Sequence, residues 1–473
     1  MNPEWIIQTS YFTAAVLLIY GLKRMSSPVT ARRGIIVAGI GMLIAVLASL
    51  LYIFHVGGPA KSHLAVNATL TVVALAIGFR WAWRTGKRVA ITAMPQMVAL
   101  YNGMGGGAAA AIAAVELLGS RGHTTIEIAT AFSGALIGSV SLSGSLIAWA
   151  KLDDRIRKPW RVPGQQAMNM LVLLATLACG YHIVSSSALA HTAPEPWLTF
   201  LFFVAALALG VLITVPIGGA DMPVAISLYN ALTGLAVGLE GYVLQNPALM
   251  IAGTVVGSAG TLLTLLMARA MNRSLGNVLF SNFGDADIEG QGAIEGRLKP
   301  AEASDAAVTM RYAGKVIIVP GFGLAAAQAQ QKLYEFVKLI QAAGVDAKFA
   351  IHPVAGRMPG HMDVLLAEAG VPYDIIHELD EINDAFSSAD IALVIGANDV
   401  VNPAARTNKS SPIYGMPILN ADRAHQVYVV KRGRGKGYAG VENELFYAEN
   451  CYMVYGDAQA VLIKMTQAVK DLG

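Results

Sequence analysis

The sequence predicts a multi-spanning α-helical membrane domain followed by an α/β domain built on a doubly wound sheet. Three observations carry that prediction. Of 473 residues, 55% are hydrophobic and only 14% charged, a balance too apolar for an ordinary soluble enzyme. Up to about residue 270 the apolar residues form runs of about 20, the length a helix needs to cross about 30 Å of hydrocarbon. Beyond residue 275 charges return and the runs shorten to strand length, alternating with helical periodicity.

Nine spans are predicted: 4–22, 34–56, 63–83, 95–118, 125–150, 166–187, 195–216, 222–243 and 247–270. The start, Met-Asn-Pro-Glu-Trp, has no basic stretch and no obvious cleavage site, so the first run is expected to be a retained span. An odd number of spans puts the N-terminus and the C-terminal domain on opposite sides. The loop after span one carries Lys23, Arg24, Arg32 and Arg33, and that after span three carries Arg84, Lys87 and Arg88. After span five come Lys151, Arg155, Arg157, Lys158 and Arg161, and span nine runs into Arg269 and Arg273. The even-numbered loops have one basic residue each (Lys61 and Arg121) or none. Positive charge marks the cytoplasmic side, so the C-terminal domain is expected in the cytoplasm and the N-terminus outside. The formal charge of +3 is carried largely by these loops, so no nucleic-acid partner is expected. Cys179 and Cys451 stand one in each half and make no disulfide framework.

The membrane half contains an internal similarity. Met94-Pro95 through Leu100-Tyr101-Asn102 to Gly106 recurs as Met222-Pro223, Leu228-Tyr229-Asn230 and Gly234. Each copy is followed by a span bearing glycine and serine: Gly134, Gly138 and Ser139, then Gly253, Gly257 and Ser258. Two copies of one helix pair suggest a pseudo-symmetric core of the kind transport folds use. Small residues such as Gly103, Gly105, Gly106 and Gly107 are explained by close helix packing. Polar groups facing lipid are expensive and turn inward, which makes Asn102, Asn230, Glu127, Ser145 and Asp221 candidates for a proton or ion path. The competing reading is that the asparagines only tie neighbouring helices together. His55 and His182 lie toward span ends and read as interfacial. No span has an acid at its centre, which argues against a cation pump with a midplane carboxylate.

Residues 271–312 read as a polar linker, with Asp285, Asp287, Glu289, Glu295, Glu302 and Asp305. Lys315-Val-Ile-Ile-Val319 then reads as a buried parallel strand. It runs into Pro320-Gly321-Phe322-Gly323-Leu324-Ala325-Ala326 and a helix to about Ala342. This is a G-x-G-x-x-A loop in strand–turn–helix context, where glycines permit a tight turn and close approach to a pyrophosphate. Further strands are predicted at about 348–352, 391–395, 427–431 and 452–455. The whole reads as Rossmann-like. The acidic residue that would hold the ribose 2′-hydroxyl of NAD is missing, because the second strand ends at His352-Pro353. Instead Lys431-Arg432-Gly433-Arg434-Gly435-Lys436-Gly437 follows a later strand. Lysines and arginines among glycines suit a dianionic 2′-phosphate, so NADP(H) is favoured over NAD(H). A solvated basic loop or a membrane-facing patch is the alternative.

Together these residues resemble the β subunit of proton-translocating NAD(P) transhydrogenase. The resemblance rests on Gly321-Phe322-Gly323 followed by Ala327-Gln328-Ala329-Gln330, and on His352-Pro-Val-Ala-Gly-Arg357-Met-Pro-Gly-His361-Met. It rests also on Gly396-Ala-Asn-Asp399 with Asn402-Pro-Ala-Ala, and on Gly437-Tyr-Ala-Gly-Val441. In the membrane half, Gly218-Gly-Ala-Asp-Met-Pro223 and Ala270-Met-Asn-Arg-Ser274 match as well. The resemblance spans nearly the whole chain.

It implies hydride transfer between NAD(H) on a separate α subunit and NADP(H) on this chain, coupled to proton passage through the membrane. The cofactors react directly, so no catalytic residue is implied. Residues 1–273 would be the proton-translocating domain, 274–312 the linker and 313–473 the NADP(H)-binding domain. By the motif match, Phe322, the run Val354, Ala355, Gly356, Arg357, Met358 and Pro359, and the run Gly396, Ala397, Asn398, Asp399 and Val400 would line the NADP(H) site. Gly415, Met416, Asp457 and Ala458 would complete it. Lys431 and Arg432 would hold the 2′-phosphate, and the glycine-rich loop around Tyr438 would fold over the nucleotide. Gly433 stands where many relatives have serine, and Arg434 or Lys436 would compensate. Asn102 stands where some relatives carry a functional histidine, so a relay histidine would come from membrane helices of the partner. Arg273, where span nine meets the soluble half, is the expected coupling hinge. The resemblance further implies a bacterial inner membrane, a periplasmic N-terminus and a dimer of α–β units. The rival class is a channel or transporter merely regulated by a nucleotide-binding domain. A third reading, a simple membrane anchor, leaves the inward polar residues unexplained.

Overall fold

The structure, a computed structural model, describes the chain apart from residues 1–2, 56–62, 120–123, 157–159, 161, 191–194, 219–220, 273, 281–295, 359, 412, 434, 436 and 438. Arg273, Pro359, Arg434, Lys436 and Tyr438 therefore lie outside the described residues. The chain divides into two compact units, Met1–Pro216 with Ile226–Leu263, and Ile217–Ala225 with Thr264–Gly473.

Among the described residues, nine helices are long and apolar enough to cross a membrane. They are α1 (Pro3–Met25), α2 (Pro28–His55), α3 (Leu64–Arg88), α4 (Met94–Leu118), α5 (Thr125–Leu152), α6 (Gln165–Ala190), α7 (Pro196–Thr214), α8 (Met222–Val243) and α9 (Pro247–Ala270). Each corresponds to one of the nine predicted runs. Proline stands in the first turn of α4 and α7, where its missing N–H costs nothing. The start of α5 is fixed by a capping box: Glu127 N–H donates to Thr124 Oγ1 at 3.3 Å, and Thr124 N–H donates to Glu127 Oε2 at 2.9 Å.

The repeated helix pairs use glycine in the same way. A Cβ on Gly106 of α4 would press on Gly138 and Ser141 of α5, and one on Gly234 of α8 would press on Gly257 of α9. Backbones meet at these points because no side chain separates them. Beside them, α5, α6 and α7 share an apolar cluster with Phe132, Ile183, Leu198 and Phe202 at its centre. The Phe132 and Phe202 rings are 4.7 Å apart, a pair worth about 0.5–1.5 kcal/mol beyond burial. By contrast, α3 buries no residue.

The second unit carries a six-stranded, wholly parallel sheet in the order β3-β2-β1-β4-β5-β6. The strands are β1 (Lys315–Pro320), β2 (Asp346–Ile351), β3 (Ile376–Glu378), β4 (Ile391–Ile395), β5 (Gln426–Lys431) and β6 (Cys451–Tyr455). Ile317 pairs with Lys348 on one side and Ala392 on the other, and every residue of β4 is buried, the pattern of a strand covered on both faces. The chain order reverses between β1 and β4, so a crevice forms beyond their carboxyl ends.

Three local expectations change. The helix after the G-x-G loop is not continuous to Ala342. After α10 (Leu275–Phe280) and α11 (Ala303–Arg311), which precede β1, it forms in two pieces, α12 (Phe322–Ala326) and α13 (Gln330–Ala342). Gln328 between them has φ +51°, a left-handed conformation that no helix interior accepts. The short edge strand β3 was not predicted. Within the stretch read as a polar linker, α10 and α11 are helical, and α11 packs on the C-terminal helix Ala458–Asp471.

Candidate functional site

Two loops close on each other where β1 and β4 end. Gly321 N–H donates to Ile395 O and Gly323 N–H to Gly396 O, both at 2.9 Å. A Cβ on either glycine would run into Gly396 or Ala397, and Gly396 itself has φ +72° against the backbone of Gly323 and Leu324. The sequence reading gave Gly321 and Gly323 to a pyrophosphate. Their immediate task in the structure is backbone contact between the loops, which sets the floor of the crevice.

The loop after β2 is pinned by two histidines. The buried His352 ring accepts from Val354 N–H at Nδ1 (3.2 Å), and its Nε2 lies 2.8 Å from Pro417 O. A carbonyl partner requires N–H at Nε2, so the ring is neutral, and burial pushes its pKa down to about 4. His361, which leads into α14 (His361–Glu368), accepts from Arg357 N–H at Nδ1 (3.2 Å) and packs on Gly356. Burial and then the Arg357 charge lower its pKa. The Arg357 guanidinium lies 4.4 Å from the centroid of the Phe322 ring, and Phe322 and His361 are 6.1 Å apart. Phe322 and Arg357, predicted from separate motifs, thus meet.

A second cluster gathers around β5. Asn443 Nδ2 donates to Asn398 O (3.0 Å) and Oδ1 (3.1 Å), and Ala439 N–H donates to Asp399 Oδ2 at 3.0 Å. Gly437 packs on the Asp399 carboxylate. Lys431 ends β5 with its ammonium 4.4 Å from the Phe446 ring centroid. Burial lowers the Lys431 pKa, while the charges of Asp399 and Glu442 work in the opposite direction. Gly456 N–H donates to Lys431 O at 3.0 Å, which brings Asp457 and Ala458 beside β5, and Asp457 caps the C-terminal helix by accepting from Gln459 N–H at 3.0 Å. A cavity here is lined by the predicted Asn398, Lys431, Gly433 and Gly435. Glu442, Asn443, Phe446 and Tyr447 line it too, and sequence reasoning did not find them. Arg432 is exposed. Gly415, at φ +77°, donates to Ala405 O at 2.8 Å, and Met416 is buried in an apolar cluster with Ala404, Ile413 and Ile418.

In the membrane unit a polar seam runs through α4, α5 and α8. The hydroxyls of Ser141 and Thr233 are 2.6 Å apart, with Tyr229 O at 3.0 Å from the first and Asn102 O at 3.1 Å from the second. Two protons serve three contacts, so the pair has alternative hydrogen-bond arrangements. Asn102 Nδ2 donates to Ile226 O at 3.4 Å. Ser145 is buried with no hydrogen-bond partner for its hydroxyl among the described residues and packs toward Gly103. Asn230 is half-buried, next to Tyr229 whose carbonyl accepts from Ser141. Glu127 serves the capping box. Asp221, in the other unit, is buried just before α8 and its carbonyl accepts from Ala225 N–H at 3.1 Å. The sequence reading passed over Glu240, a buried acid in the last turn of α8.

Long apolar helices with an internal polar seam, joined in one chain to a Rossmann-like sheet, define a membrane protein that carries a dinucleotide-binding fold. Comparison with known proteins narrows this. The family model described as NAD(P) transhydrogenase beta subunit matches residues 7–468. The chain is 43% identical to the NAD(P) transhydrogenase subunit beta of Rhodospirillum rubrum over 476 residues, which cover 98% of this chain and 99% of that protein. The same-named protein from a defined strain of that species gives the same values. The chain therefore belongs to the NAD(P) transhydrogenase beta subunit family. Membership makes it the component of an oxidoreductase that works with an alpha subunit and uses the NAD(H) and NADP(H) couples. The regulated-channel reading is not favoured.

Proposed function

We propose that this chain holds NADP(H) in residues 313–473 while an α subunit holds NAD(H), and that hydride transfer between them is coupled to proton passage through residues 1–273. The observation that carries the nucleotide assignment is Lys431 on Phe446 beside a cavity with glycines at its edge. A half-buried ammonium against an aromatic face has lost part of its water, and charge-assisted hydrogen bonds to a dianion would replace it. Lys431 and Arg432 would hold the 2′-phosphate, with Arg434 and Lys436 offering further cations. Gly321, Phe322, Gly323 and the run Val354–Pro359 would hold the rest of the nucleotide along the crevice, and the Arg357–Phe322 contact would fix the two loops relative to each other. When bound, the nicotinamide supplies the hydride chemistry. The protein orients the ring, excludes water and holds the phosphates.

Support for the proton assignment is the seam of Asn102, Ser141, Thr233 and Ser145, whose hydroxyls and amide can order water between apolar helices. Residues 274–312 would link the two domains, with Arg273 at the hinge. The loop charges favour a cytoplasmic soluble domain and an N-terminus on the opposite side, and the family resemblance favours a bacterial inner membrane and a dimer of α–β units. The test is an assay of purified chain mixed with α subunit for NADH-dependent reduction of NADP⁺ or an analogue, with pH followed inside sealed vesicles. Hydride transfer together with inward acidification or alkalinisation is the expected result. Nucleotide binding with no hydride transfer in the mixed complex would overturn the reading.

A further inference from the structure

Glu240 is 1% exposed, and neither of its carboxyl oxygens has a hydrogen-bond partner among the described residues. Its side chain fills space that Gly134 of α5 leaves open: a Cβ on Gly134 would overlap Glu240 Oε1. Glu116, in the last turn of α4, is the charged group among the described residues whose field acts on it. An acid in this position serves packing poorly. A buried ion without a partner costs several kcal/mol even after relaxation, and an apolar side chain of the same size would avoid that cost. The position suits a group that must take up and release a proton.

Its place in the fold gives that proton a route. Along the contact between α5 and α8, Gly144 meets the Tyr229 ring, Ser141 meets Thr233, and Gly134 meets Glu240. As one index falls the other rises, so the two helices run antiparallel in continuous register. Glu240 lies seven residues beyond Thr233 on α8, about 10 Å along the axis at 1.5 Å per residue. It therefore sits two turns further along the same seam that holds Asn102, Ser141 and Thr233. The even-numbered helices α4 and α8 end on the side where each loop has one basic residue or none.

We propose that Glu240 is a proton-exchanging carboxyl at the outer end of the seam, with Glu116 as its neighbour at the membrane surface. The proposal rests on the reading that protons pass through this unit. In the step assigned to it, the O–H bond of the Glu240 carboxyl breaks, the electron pair stays on the carboxylate, and the proton passes to water in the seam. A second proton then arrives from water at the surface and restores the acid.

The experiment uses the complete complex with its α subunit in sealed vesicles, comparing wild type with Glu240→Gln and Glu240→Asp. Glutamine keeps the shape and removes the exchangeable acid. Proton translocation per assembled complex should fall by a factor of about 10² or more in Glu240→Gln, as when a proton-transferring group is lost. Glu240→Asp should retain measurable translocation. NADP(H) affinity should be the same in all three. In parallel, infrared spectra should contain a protonated-carboxyl band that Glu240→Gln removes and Glu240→Asp shifts, a signature that a structural role would not produce. Wild-type translocation by Glu240→Gln, or a carboxyl spectrum unchanged by that substitution, overturns the assignment. A wild-type complex that transfers hydride and moves no proton instead overturns the coupling reading itself.

Discussion

The Lys431 ammonium stands 4.4 Å from the centroid of the Phe446 ring, and both residues line one cavity at the end of β5. Phe446 shields the charge on one side, so an incoming dianion meets a cation that is only partly hydrated. The isolated segment from about residue 290 to 473 is expected to fold and to bind NADP(H) in preference to NAD(H). Changing Lys431 and Arg432 to alanine should weaken NADP(H) by about 1.5–3 kcal/mol per lost charged hydrogen bond and leave NAD(H) nearly unaffected. Calorimetry decides, and equal affinity of the unmodified segment for NADP⁺ and NAD⁺ would sink the assignment.

His352 makes the stability of that segment depend on pH. Its pKa falls from the ordinary 6.5 to about 4 on folding, because burial penalises the charged ring. The unfolded chain therefore binds the extra proton first. Stability from this group is complete above pH 6.5 and is lost as pH falls toward 4, by about 3 kcal/mol in all. Asp363 and Glu378, whose pKa values burial raises, act in the opposite sense at the acidic end. Urea unfolding across this range should show the decline, and His352→Gln, which keeps a donor for Pro417, should flatten it. An identical slope in the variant would rule His352 out as the cause.

The close contact at the crevice predicts a large effect from a small substitution. Alanine at Gly396 must adopt φ near +72° and push its Cβ into the backbone of Gly323 and Leu324. Left-handed strain alone costs on the order of 1–3 kcal/mol, and the overlap adds to it. Among the described residues nothing stands near enough to Gly435 to obstruct a Cβ, so Gly435→Ala should leave the unfolding midpoint in place. Midpoints of the two variants that moved equally would contradict the packing argument.

How much of this was legible in the sequence depends on the range of the forces involved. The nine spans were legible because hydrocarbon thickness dictates a run of one length and composition. Strands β1 and β4 were legible as bounded apolar runs, since burial on both faces removes any alternation. The break at Gln328 was hidden because Ala327-Gln-Ala329 is made of good helix formers, and the turn answers to tertiary contacts. Three-residue β3 is too short to carry a period. Lys431 announced itself by charge, whereas Glu442, Asn443 and Phe446 reach the same cavity only because their loop folds back over β5. An acid near the end of a span, such as Glu240, reads as interfacial. Its burial is supplied by Gly134 on another helix, which no local pattern contains.

The chain by itself should show no steady transhydrogenation. One G-x-G loop at a strand–helix junction is present, and turnover needs two nucleotides held face to face. Adding purified α subunit should start turnover in proportion to complex formed. Sustained turnover by the highly purified single chain would require a second nucleotide site within it.

The last prediction concerns Asn102 and Asn230, which occupy equivalent places in the two repeated helix pairs but different surroundings. Asn102 donates to Ile226 O and its own carbonyl lies 3.1 Å from Thr233 Oγ1, while half-buried Asn230 follows Tyr229, whose carbonyl accepts from Ser141. An amide can orient water and give or accept hydrogen bonds, but it does not titrate near neutral pH. Both are therefore assigned to shaping a wetted path and not to carrying the proton. Leucine at either position keeps the volume roughly similar and removes the polar contact. Proton pumping in vesicles is expected to fall sharply in both variants, with NADP(H) binding by the isolated soluble domain untouched. If the asparagines serve only to join helices, each is worth about 0.6–2 kcal/mol. Asn102→Leu would then assemble less well, having lost a visible interhelical bond, and would pump normally once assembled. Asn230→Leu, with no such bond to lose among the described residues, would be nearly silent. Pumping measured per correctly assembled complex separates these outcomes, and normal coupling in both variants removes the two asparagines from the proton path.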